Sequence, residues 1–346
     1  MLKSYVGWLK LIVILAAVYL LSQVTSVYLP VIIAMVLTFI LNPLVNFFAN
    51  TYLWPTKWRV GRGVAVLLAF ICAAIVLIVV STFVLLPFAH EFNKLVTNLP
   101  GMILQIQKLT AAIQERASAV YFANNIPNVV EQGMASAAAF SVDMVRRIVN
   151  SIFSFASRVV ELVIVPVLTY YFLKDWQVLK ESVILLFSSG TRDKVQVIIE
   201  EMGSVVSGYI RGQVMVSVII GLTVFCGMYL FGVDYPLVLG LIATLTETIP
   251  IIGPIIGAVP AVLLAYLVAP ALALKVIVFF VIVHQIENHI VVPNVMGHVI
   301  DLHPVTVIIS LLIGGQLFGI AGMMLAVPLA ALLKVLMRHL WITGER

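Results

Sequence analysis

Glu247 is a carboxylate inside a long apolar run, one helical turn ahead of Pro250. A charged side chain at the centre of a bilayer costs at least about 2.5–3.5 kcal/mol on insertion scales, so such a group requires a partner, water or a proton. Its chemistry is therefore to bind a cation, to carry a proton, or to accept hydrogen bonds from a polar substrate. The residues from Thr244 to Pro260 include Pro250, Gly253, Pro254, Gly257 and Pro260. Pro250 and Pro254 each lack an N–H and disfavour helix in the residue before them, and Gly253 permits a sharp reversal. The helix must break here, and irregular backbone at membrane depth is tolerated only where protein or a wet cavity supplies hydrogen-bond partners. A break of this kind points to a transport site.

Further polar groups stand in other apolar runs. Gln285, Glu287 and Asn288 fall near the end of a span, where a binding role competes with a solvated helix end. Gln316 lies beside glycines that interrupt the last run, either completing a site or bonding exposed backbone. Thr244, Thr246 and Thr248 either line a pocket or bond their own helix. His284 and His289, five apart, lie on different helix faces, which argues against a shared metal. The candidate substrate- or ion-binding set is Glu247, Thr246, Pro250, Gly253, Pro254, Gln285, Glu287, Asn288 and Gln316, with Gly257, Gly315, Gly319 and Gly322 as hinge or break positions. No metal site and no cofactor is expected.

These residues are carried by an unusually apolar chain. Of 346 residues, 62% are hydrophobic and 10% charged, with a mean hydropathy of +1.15. That composition excludes a soluble domain and predicts an all-α polytopic protein with the lipid bilayer as its surroundings. Nucleic acid is not an expected partner. Cys72 and Cys226 sit far apart in apolar runs and read as core residues. Gly-Lys-Ser/Thr phosphate loops, histidine–glutamate zinc motifs and Gly-x-Ser-x-Gly elbows do not occur, so neither ATP hydrolysis nor another enzyme activity is expected.

In chain order, residues 1–89 form three N-terminal spans, the first from Leu11 to Leu29, retained rather than cleaved, and the second from Pro30 to Phe48, with a turn at Pro30. Residues 90–157 hold two amphipathic helices in an extracytoplasmic hairpin, whose apolar stripes suit oligomer contact. Residues 158–207 supply a fourth span and a helix along the membrane surface. Residues 208–346 form the transport part. Within it the run 236–268 is too long for one span and too broken to be straight, and reads as a re-entrant hairpin. The run 304–341 reads as a second. The expectation is about five to six full spans and two broken hairpins, arranged as a pseudo-repeat. Lys3, Lys10, Lys57, Arg59, Arg62, Lys334 and Arg338 put both termini in the cytoplasm.

The segments Gly208-Tyr-Ile-Arg-Gly-Gln213, Ile249 to Pro260, Gln285-Ile-Glu-Asn288 with Pro293 and Met296-Gly297, Leu302-His-Pro304 and Ala326-Val-Pro-Leu-Ala330 resemble the autoinducer-2 exporter family. The resemblance implies a multi-pass transporter or permease of the bacterial inner membrane, assembled as a homo-oligomer, a pentamer. It implies export of a small polar solute such as the quorum-sensing signal autoinducer-2; elevator-like movement of the broken hairpins is the alternating access expected from the residues themselves. The alternatives are a sodium(lithium)/proton antiporter working on a monovalent cation and a proton, and an oligomeric membrane scaffold.

Overall fold

The computed structural model describes residues 25–50, 52, 53, 58–98, 101, 105, 159–297 and 302–342. Most of the first expected span and most of the amphipathic pair in 90–157 lie outside these residues. The described chain is helical apart from a two-residue antiparallel ladder, β1 (Tyr52–Leu53) with β2 (Trp58–Arg59). Five of its helices are long and apolar enough to cross a membrane.

The chain divides into two compact units, the first being Met1–Ile71 with Phe153–Leu186. In this unit α1 (Thr25–Asn50) packs on α3 (Val159–Lys174). Ala34 is fully buried, and the buried Thr169 hydroxyl donates to the Val165 carbonyl at 2.8 Å and lies 3.4 Å from the Ala34 carbonyl. A small residue opposite a hydroxyl lets two membrane helices approach closely. Arg62, which opens α2 (Arg62–Asn98), donates through Nε to the Leu173 carbonyl at 2.7 Å. It thereby pairs an otherwise orphaned carbonyl at the end of α3. A shorter helix, α4 (Trp176–Leu185), closes the unit. The turn expected at Pro30 is absent, since α1 runs straight through that residue. A lone proline kinks a helix more readily than it reverses the chain, and no glycine stands beside this one.

The second unit, Cys72–Ile152 with Phe187–Arg346, holds the candidate residues. Its central element is α5 (Arg192–Phe231), one uninterrupted helix of 40 residues. A surface helix followed by a separate span was expected. Gly203, Gly208 and Gly212 are isolated within the helical pattern, and with no proline near them they weaken the helix without stopping it. Only from Ser207 onward does α5 bury a continuous stripe: Val216, Ile220, Val224 and Met228 recur every four residues against α6 (Pro236–Thr246) and α7 (Ile252–Val268). Then comes α8 (Pro270–Met296), α-helical to Ile286, π-helical over Glu287–Val291 and α-helical again to Met296.

Both broken hairpins are present. The first is α6, a five-residue break and α7. The second is α9 (Pro304–Leu340), which leaves helical geometry at Phe318 and Gly319; Gly319 has φ +60°, a conformation glycine adopts without strain. Its two arms fold back on each other, because a Cβ on Gly322 would strike the Gly314 carbonyl and one on Gly315 would sit 3.2 Å from Met323 Cγ. Residues eight apart in a straight helix would be about 12 Å from each other. Of the expected hinge glycines, Gly319 therefore makes the bend, while Gly315 and Gly322 are packing contacts in the arms. Gly257 likewise lies inside α7, where it faces Thr246 and Ala243. The hairpins meet through Ile249 of the first break and Ile252 at the start of α7, packed on Leu311, Ala326 and Met323 of α9.

The start of the first hairpin is held from α2. A Glu91 carboxylate oxygen accepts from the Leu237 and Val238 N–H groups at 3.1 and 3.3 Å, and Asn98 donates to the Tyr235 hydroxyl at 2.9 Å. A negative charge at a helix N-terminus satisfies orphan donors and complements the macrodipole.

Gly322→Val should separate the arms of α9 and cost about 1–3 kcal/mol, as over-packing generally does. Gly203→Ala, at a helical site with open space around it, should cost nothing and gain up to about 1 kcal/mol. Thermal unfolding of the two variants in detergent checks the contrast.

Candidate functional site

The break between α6 and α7 is built from short local hydrogen bonds. Thr248 N–H bonds the Leu245 carbonyl at 3.4 Å and Ile249 N–H the Thr246 carbonyl at 2.9 Å, tightening the end of α6. Ile252 N–H then bonds the Pro250 carbonyl at 2.8 Å across Ile251, whose φ of 69° and ψ of −49° make this a γ-turn. A β-branched residue at positive φ is strained, by about 1–3 kcal/mol. Gly253 follows, and its missing side chain is what allows α7 to pass the Thr246 carbonyl, which a Cβ there would strike. Pro250, Gly253 and Pro254 thus shape the break, and Pro254 also borders the cavity described next.

The carbonyl of Glu247 has no partner within its own helix. Gln213 of α5 supplies one, its Nε2 donating at 2.6 Å across 34 residues of sequence. Glu247 itself is 2% exposed and Glu287 6%. They line a common cavity of about 10 Å³. Thr246, Phe280 and His284 complete its polar and aromatic wall. The Thr246 hydroxyl is committed to the Ile242 carbonyl at 2.9 Å, so it contributes shape more than a free donor.

Glu287 is not at a solvated helix end. The π-helical segment that it opens keeps α8 continuous to Met296 and keeps this side chain facing the hairpin. π-helical turns recur at functional sites because the extra residue re-aims side chains. His284, one turn earlier, has Nδ1 3.3 Å from Glu287 Oε2, and Asn288 Nδ2 lies 3.1 Å from His284 Nε2. His289 points elsewhere, with Nδ1 2.9 Å from the carbonyl of Gln285 in its own helix.

Of the expected set, Glu247, Thr246, Pro254 and Glu287 converge on the cavity, and Asn288 reaches it through His284. Gln285 is exposed and serves through its backbone. Gln316 is exposed near the bend of α9 and does not line the cavity. Gln213 and His284 are the residues that sequence reasoning did not assign. The one sign of Gln213 was its place in the Gly208–Gln213 motif.

Two buried carboxyl groups beside one water-sized space have the chemistry to hold a small cation or a proton. A cavity of about 10–15 Å³ holds a single water, far below the roughly 300 Å³ at which small-molecule pockets begin. Gln213→Leu should leave the Glu247 carbonyl unpaired in a buried place and cost about 1–3 kcal/mol. It would be read as a lower thermal midpoint, together with faster thiol labelling of a Thr248→Cys reporter at the break.

Comparison with known proteins agrees with this architecture. The profile of the family described as AI-2E family transporter matches residues 9–342. YueF of Bacillus subtilis, named as a transport protein, is 28% identical over 315 residues, covering 90% of this chain and 83% of its own length. PerM of Escherichia coli K12, named as a permease, is 26% identical over 347 residues, covering 97% and 93%. A protein of Halobacillus andaensis named sodium-lithium/proton antiporter is 24% identical over 317 residues, covering 87% and 86%. With the profile matching almost from end to end, the chain belongs to the AI-2E transporter family.

Proposed function

We propose that this transporter exchanges a monovalent cation for a proton at the Glu247–Glu287 pair. The observation that carries the reading is the convergence of both carboxyl groups on one buried, water-sized cavity at a helix break. Two ionised carboxylates side by side and out of water repel each other and lack solvation, so the pair needs one positive partner. A proton or a small cation satisfies that need, and the two compete for it. Competition for one site is the minimum that coupled exchange requires. The neighbourhood of a relative named sodium-lithium/proton antiporter supports the same reading.

Alternating access follows from the same parts. Elevator-like movement of the two hairpins would open the pair first to one side of a bacterial inner membrane and then to the other, with Ile251 as the torsionally loaded point of the break. A homo-oligomeric assembly, pentameric by family resemblance, would hold the remaining helices fixed. A second reading, export of a small polar solute such as autoinducer-2, draws on the family description and would require the cavity to enlarge many-fold.

The test uses purified protein in proteoliposomes carrying an internal pH indicator. Sodium or lithium added outside enters down its gradient and drives protons out, so internal pH should rise. Glu247→Gln and Glu287→Gln should each reduce that response by about tenfold or more, equivalent to at least about 1.4 kcal/mol. Neither variant should lower the thermal midpoint, because each removes a buried charge and keeps the side chain's shape. Flux of labelled autoinducer-2 with no pH response would overturn the exchange reading in favour of export.

A further inference from the structure

We propose that Tyr209, Gln213 and Ser217 of α5 form the route by which the monovalent cation reaches the carboxyl pair, each side chain lending an uncharged oxygen in turn. The inference rests on the exchange reading above and adds the path to the site. It stands on two buried hydroxyls without partners and on the helix face that joins them.

Among the described residues, the buried side-chain polar atoms that lack a hydrogen-bond partner are Tyr209 Oη and Ser217 Oγ. Tyr209 is 4% exposed and Ser217 3%, so protein covers both. Leaving such groups unpaired costs stability and calls for an explanation. A hydroxyl within a helix can bond the carbonyl four residues back, as Thr223 does with Ile219 and Thr244 with Gly240. Ser217 makes no such bond. The two groups flank Gln213. Residues 209, 213 and 217 recur every four positions, so they share one face of α5 with about 6 Å between successive rungs. That face is turned to the first hairpin: Gln213 reaches the Glu247 carbonyl, and Gly221, four residues beyond Ser217, lies against Gly240 and Thr244 of α6. Three residues beyond Ser217, Ile220 lines the cavity that holds Glu247 and Glu287. In the other direction α5 runs about 12 Å from Tyr209 back to Glu201, towards its charged end.

The chemistry of the row suits a cation. A backbone carbonyl only accepts, so the Gln213 nitrogen is the atom held at Glu247 and Oε1 is the side chain's acceptor. Oη, Oε1 and Oγ are neutral oxygens, able to replace part of an ion's hydration shell yet weak enough to release it to the next rung. An anion on the same face would meet two carboxyl groups at the end of its path. The row is closed in this structure, and Gln213 is its tie. When the break moves and Nε2 leaves the Glu247 carbonyl, the amide and the two hydroxyls on either side of it are freed to turn towards an ion.

The experiment has two arms. In proteoliposomes, Tyr209→Phe and Ser217→Ala should each slow exchange of labelled against unlabelled sodium at equal pH by about three- to tenfold, the scale of one lost hydrogen-bonding group. Neither should lower the thermal midpoint, since an unpaired hydroxyl leaves no partner stranded. Thr223→Val, which removes a hydroxyl bonded within its own helix, should exchange as wild type. The second arm needs no transport and uses the full chain with Cys72 and Cys226 replaced by alanine. Silver, a monovalent cation that bonds thiols, should block Ser217→Cys and spare Val224→Cys, which is as deeply buried but lies beyond the cavity wall; sodium or lithium should slow the block. Unreacted thiols counted after unfolding give the result. Undiminished sodium exchange in both hydroxyl variants overturns the route, and a lowered midpoint in both overturns it by making the hydroxyls structural. A slower pH response with unchanged sodium exchange also overturns it, by making them carriers of protons. Silver that blocks both cysteines or neither, or that is indifferent to sodium and lithium, overturns it as well. A wild-type protein that exchanges no sodium removes the exchange reading, whereas sodium-protected reaction of Ser217→Cys in that same protein leaves the row standing as a cation site.

Discussion

A carboxylate taken out of water must be answered locally, and most of the second unit is arranged so that two of them answer for each other. Glu247 comes to the cavity because α6 stops four residues before Pro250, and Glu287 because α8 widens to π geometry at that residue instead of continuing as an α-helix. Neither position is cheap. The first leaves a backbone carbonyl that Gln213 must satisfy, and the second gives up regular hydrogen bonding for five residues. Two departures from regular helix, on elements distant in sequence, are held against each other by the core that α5 shares with α6, α7 and α8.

What holds them is contact between small residues more than specific polar bonding. In lipid the apolar effect gives little preference for helix against helix, so close packing and interhelical hydrogen bonds must supply the stabilisation. The hairpins meet this requirement with glycines at the points of nearest approach: Gly253 under the Thr246 carbonyl, Gly314 against Gly322, and Gly221 of α5 against Gly240 of α6. Polar contacts are kept for the ends. Glu91 holds the start of α6, and Glu201 of α5 accepts from Arg338 and lies 3.6 Å from His339 at the end of α9.

Much of this was legible in the sequence wherever a feature was local. The coincidence of Pro250, Gly253 and Pro254 announced the first break, and the glycines near 319 announced the second, since proline and glycine act through their own backbone geometry. Glu247 stood out because a carboxylate in an apolar run is costly wherever the chain folds. Features that depend on distant partners were not legible. Gln213 gains its role from a carbonyl 34 residues away, and His284 from lining the cavity beside a π-helical turn that no periodicity of apolar residues encodes. Gln316 was expected at the site because it neighbours a break; nearness in sequence to a bend does not set which way a side chain points. Pro30 and the start of α5 show the same limit in reverse, for one breaker or one weak glycine did not end a helix.

The uninterrupted length of α5 has a mechanical consequence. Forty residues rise about 60 Å, twice the hydrocarbon thickness. The helix packs on the first hairpin at Gly221, while its other end carries Asp193, Lys194, Glu200 and Glu201. About 30 Å along it from Gly221, Glu201 accepts from Arg338 and lies 3.6 Å from His339 at the end of α9. One stiff rod therefore bridges the two hairpins, gripping the first by close backbone approach and the second by charge.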